Sequence, residues 1–169
     1  MPKLQPHRFK VVGPPASNED LDTFIKNCKS LGMSHPAIPE ELESLWRIGS
    51  EWHLVEEHYN VFGFNIYNPK EIIQITNSVF GSEEIKQEWA SEIQGVSCAD
   101  KDWLCVCGYS EYDYIFMNFD KESSLFGATR HMVNNCSTDE ELTAPPASNF
   151  IAYVERYLEN WNEDEEIST

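Results

Sequence analysis

Apolar positions along this chain recur at two periods, and the change from one to the other divides it. From residue 17 the pattern is helical: Ser17-Asn18-Glu19-Asp20 fits a capping box, a hydroxyl three residues before an acid. Leu21, Phe24, Ile25, Cys28 and Leu31 follow at helical spacing, and Gly32 stands where a left-handed C-cap is expected. Pro39 suits the first turn of a second, short helix over residues 40–48, apolar at Leu42, Leu45, Trp46 and Ile48 and closed by Gly49. Residues 52–67 alternate as strands do, most strongly at Val61, Phe62, Phe64, Ile66 and Tyr67. Asn68-Pro69 ends that run and opens a third helix carrying Ile72, Ile73, Ile75 and Val79. Residues 82–97 are polar and acidic with Ile85, Trp89 and Ile93 at intervals of four, which predicts a surface helix with one apolar stripe.

Strand patterns dominate the second half. Residues 103–108 and 112–120 read as two strands around a short polar turn, and residues 126–132 as a third. A loop with Asp139, Glu140, Glu141 and Pro145-Pro146 leads to Ser148-Asn149, a cap for a final helix whose Phe150, Ile151, Val154, Tyr157, Leu158 and Trp161 trace one face. Helices at both chain ends around a central, mainly antiparallel sheet predict an α+β fold in a single domain over residues 17–162. Residues 1–16, with four prolines and no acid, read as a flexible basic arm, and residues 163–169 as a frayed acidic tail.

Composition narrows the function classes. The chain has 169 residues, 29 acids against 12 Lys and Arg, and a net charge of −17. That sign disfavours direct contact with nucleic-acid phosphates or anionic membranes and suits a basic partner. Five Trp, seven Tyr and nine Phe are too many for a disordered acidic tail. The acids fall in three blocks: nine against three bases over residues 19–57, ten against three over 83–122, and nine against one over 139–169. The competing reading of this surplus is a solubilising surface.

No run reaches the roughly 20 apolar residues a bilayer span needs, and the basic start lacks the apolar stretch of a secretory signal. Five scattered cysteines, an odd number, read as reduced thiols of a cytoplasmic protein.

The chemistry-bearing motifs are few. His53 and His58 flank Glu56-Glu57, but the inverted zinc-protease pattern needs one residue fewer between the histidines. Five residues along a helix turn through about 140°, so both rings could not face one ion; on a strand, odd spacing puts them on opposite faces. Cys105 and Cys107, two apart on a strand, are expected to share a buried face as small apolar fillers, not as zinc ligands or a redox pair. The tyrosines at 109, 112 and 114, with Phe116 and Phe119, lie among Glu111, Asp113 and Asp120, so they do not make the cationic groove that base stacking requires. No nucleophile elbow, phosphate-binding loop or dinucleotide fingerprint is present. No enzyme activity, metal or cofactor is expected.

The order of motifs resembles the SUKH superfamily. Ile38-Pro39-Glu40-Glu41-Leu42-Glu43-Ser44-Leu45-Trp46-Arg47-Ile48-Gly49 looks like its opening signature, although the family's N-G step is Gly49-Ser50 here. Phe64-Asn65-Ile66-Tyr67-Asn68-Pro69-Lys70-Glu71-Ile72 resembles the strand leading into its second helix. Residues 104–109 and 114–120 resemble its two core strands, and residues 150–158 its closing helix. The resemblance spans about residues 18–161. It implies a non-enzymatic binding protein: bacterial members look like cytoplasmic immunity proteins that neutralise a toxin, often a nuclease, and fungal members like scaffolds linked to cell-wall synthesis.

The expectation is therefore an antitoxin, monomeric, that meets a basic toxin domain through an acidic surface. Glu56 and Glu57 near the first strands, with Glu111 and Asp113 in the turn between the core strands, are the expected contact residues, since loops on a rigid sheet carry binding groups. The alternative is a regulatory scaffold of the same family that binds an endogenous protein.

Overall fold

The computed structural model describes residues 9–55, 62–80, 102–109 and 113–133. Within them the chain runs β1 (Phe9–Val11), α1 (Asn18–Ser30), α2 (Glu40–Ile48), β2 (Trp52–Val55), β3 (Phe62–Ile66), α3 (Ile72–Phe80), β4 (Trp103–Tyr109), β5 (Asp113–Asn118) and β6 (Thr129–Val133). The six strands form one sheet in chain order, and every neighbouring pair is antiparallel. Together with the three helices this is an α+β arrangement. The predicted helix over residues 82–97, the loop and final helix predicted beyond residue 133, and the tail lie outside the described residues.

Local chemistry sets the ends of α1. The Ser17 hydroxyl accepts from the Asp20 N–H at 3.1 Å while the Asp20 carboxylate accepts from the Ser17 N–H at 3.0 Å, the reciprocal capping box. At the other end Gly32 takes φ +93°. Its N–H donates to Lys29 O and the Met33 N–H reaches back to Cys28 O, the bond pair of a Schellman motif. A side chain at Gly32 would be strained in that left-handed conformation.

Helix α2 ends for a different reason. Gly49 is extended, with φ −165°, so it is not a left-handed cap. A Cβ there would overlap the Val11 side chain, so this glycine allows close approach of β1 to the helix end. The Trp52 indole N–H reaches Gly49 O at 2.7 Å and, at 3.2 Å, Leu45 O, which also accepts the Gly49 N–H, so the indole pins the end of α2 to β2. The Trp46 indole donates to Tyr67 O at 3.0 Å and so ties α2 to the exit of β3.

Register decides which side chains meet the helices. The row Val11, Trp52, Ile66, Cys107, Ile115 and His131 crosses the whole sheet from partner to partner. Four of its members, Trp52, Ile66, Cys107 and Ile115, join Leu21, Phe24 and Cys28 of α1, Leu42, Leu45 and Trp46 of α2, and Ile72 of α3 in one buried core. Phe24 sits edge-on to both Trp46 and Phe119, with centroids 5.5 and 5.4 Å away; such contacts add about 0.5–1.5 kcal/mol beyond burial. The next row, Lys10, His53, Asn65, Gly108, Tyr114 and Met132, belongs to the opposite face.

Three expectations need correction. Residues 9–11, assigned from sequence to a flexible arm, pair with β2, and Ala16 is buried with its N–H on Trp46 O. The third strand starts at Thr129, not Phe126, because residues 120–127 form a turn that Gly127 closes at φ +76°. Cys105 and Cys107 do not share a face. Cys105 pairs with Phe116 and Cys107 with Ile115, so Val106 is one residue too many and the alternation flips.

Candidate binding surface

The four acids singled out from the sequence are not brought together among the described residues. Glu56, Glu57 and Glu111 lie outside them. Asp113 is the first residue of β5, between Tyr109 of β4 and Val133 of β6, so it belongs to a central strand and not to the turn itself.

The best-braced acidic surface among the described residues is one that sequence reasoning missed. The loop before α2 and the turn before β6 are laced together: Ala37 N–H donates to Phe119 O at 2.9 Å, Lys121 N–H to His35 O at 3.0 Å, and Pro36 bridges to Asp120. The turn also holds itself in shape. Asn118 Oδ1 accepts from the Asp120 N–H, Asp120 Oδ1 from the Glu122 N–H, and Ser123 Oγ from the Leu125 N–H. Gly127 faces Pro39 at the start of α2, where Glu40 is exposed. Glu122 and Phe126 are exposed on the turn, while half-buried Asp120 lies 3.8 Å from His35 Nδ1. The result is a pair of loops tied by backbone bonds that carries exposed Glu40, Glu122 and Phe126 and half-buried Asp120. Its signal in the sequence is the D-x-x-S-x-x-x-G run over residues 120–127, whose two ends the strand pattern claims.

On the opposite sheet face, Gly108 makes room for Tyr67: a Cβ at position 108 would overlap the Tyr67 hydroxyl and stand 3.2 Å from a Tyr114 ring carbon. Burial pushes the Tyr67 phenol well above its usual range, with the Cys105, Cys107 and Tyr114 side chains adding to the effect. It is not an acid-base group at neutral pH. Asn65 Oδ1 on the same row is buried without a hydrogen-bond partner.

The three described cysteines are equally unsuited to chemistry. Cys28, Cys105 and Cys107 are free and fully buried. Burial pushes the Cys28 thiol up to about 12 and raises the Cys105 and Cys107 thiols well above their usual range. His53 pairs with Glu51, Nε2 to Oε1 at 2.8 Å, and His58 lies outside the described residues. Among the described residues no group of three or more His, Cys, Asp or Glu side chains is placed to hold a metal ion. Among them, too, no helix is long and apolar enough to cross a membrane.

Comparison with protein-family models and with curated proteins finds no match to this chain.

Proposed function

We propose that this chain is a binding protein of the immunity type, which neutralises a basic toxin domain such as a nuclease by occupying it with an acidic surface in the cytoplasm. The observation that carries the reading is the net charge of −17 on a chain whose motif order resembles the SUKH superfamily. Charge of this size speeds encounter with a cationic partner and sets its orientation more than it sets final affinity. Carboxylates suit a groove built for phosphates, because both present paired anionic oxygens to Arg and Lys.

The contact residues proposed from the sequence are Glu56, Glu57, Glu111 and Asp113. The braced pair of loops adds Glu40 and Glu122, which are held by backbone and need little ordering on binding. The test is co-expression with any large secreted protein's C-terminal toxin domain found encoded beside this gene, scored for survival. Protection that is lost when the Glu56, Glu57, Glu111 and Asp113 charges are reversed together supports the reading. Failure of the unaltered chain to protect against, or bind, that domain overturns it.

A further inference from the structure

We draw no further inference here: the strongest candidate, the outer edge of the sheet at strand β1, where Val11 and Val12 are exposed, is a three-residue edge, and nothing in the structure shows what covers it.

Discussion

The hydroxyl of Thr76 accepts a hydrogen bond from the backbone N–H of Cys105 at 2.9 Å, joining residues 29 positions apart. This bond explains how the sheet changes neighbours. Strand β3 pairs with β4 only at Asn65–Gly108 and Ile66–Cys107, and Tyr67 N–H makes a last bond to Val106 O before the chain turns away. Helix α3 then lies against the earlier part of β4, and Thr76 supplies the acceptor that a strand would have given Cys105 beside the bulge. The same hydroxyl donates to Ile72 O at 2.7 Å, so both of its capacities are used.

Replacing Thr76 by valine keeps the shape and strands a buried N–H. A loss of about 1–3 kcal/mol is expected from urea unfolding, and Thr76→Ser should recover most of it. Equal stability of the valine and serine variants would show that the bond contributes nothing.

The capping box predicts a pH dependence. Hydrogen bonding from the Ser17 N–H, then from Lys70 and the Ser17 hydroxyl, lowers the Asp20 carboxyl from 3.8 to about 2, and Lys70 Nζ stands 3.0 Å away. A carboxylate depressed on folding stabilises the fold above its unfolded pKa, and that contribution fades as pH falls from about 4 toward 2. Unfolding midpoints of the unaltered chain and Asp20→Asn should differ at pH 6 and converge near pH 2. Ser17→Ala is expected to cost about 1 kcal/mol at pH 6.

Gly108 and Tyr67 form a coupled pair. Gly108→Ala drives a methyl group into the tyrosine hydroxyl and is expected to cost about 1–3 kcal/mol. Tyr67→Phe removes the obstructing oxygen, so the double variant should be more stable than Gly108→Ala alone. Simple additivity in the double-mutant cycle would contradict the contact.

Cys28, Cys105 and Cys107 should resist a thiol reagent in the native protein and react fully in urea, because burial withholds the thiolate as well as access. Peptide mapping by mass spectrometry after brief labelling distinguishes these three from Cys98 and Cys136. Rapid native labelling of Cys105 or Cys107 would contradict the packing of β4.

What could be read from the chain beforehand depended on how far apart the interacting residues stand. The cap at Ser17–Asp20 and the turn at Gly32 are settled within a few residues, so their residue types declare them. The extent of α2 was legible from its apolar spacing. The reason for Gly49 was not, since it lies in Val11, almost forty positions earlier. The two faces of Cys105 and Cys107 depend on an extra residue against β5, which strict alternation cannot reveal. Strand β1 escaped notice because three residues after a proline-rich start carry no period, and only pairing with β2 makes them a strand. The acidic pair of loops was missed for the same reason: the two are joined by bonds from His35 and Ala37 to Phe119 and Lys121.

The central claim is that an acidic surface draws in and holds a basic protein, and the most direct measurement is the rate of association at several salt concentrations. If a toxin domain is encoded beside this gene, stopped-flow mixing with that purified domain should give a stoichiometric, inhibited complex. Its association rate should fall at least tenfold between roughly 20 mM and 500 mM salt, as screening shortens the reach of the charges. A rate that does not change with salt, or the absence of a complex at any salt, would contradict the account.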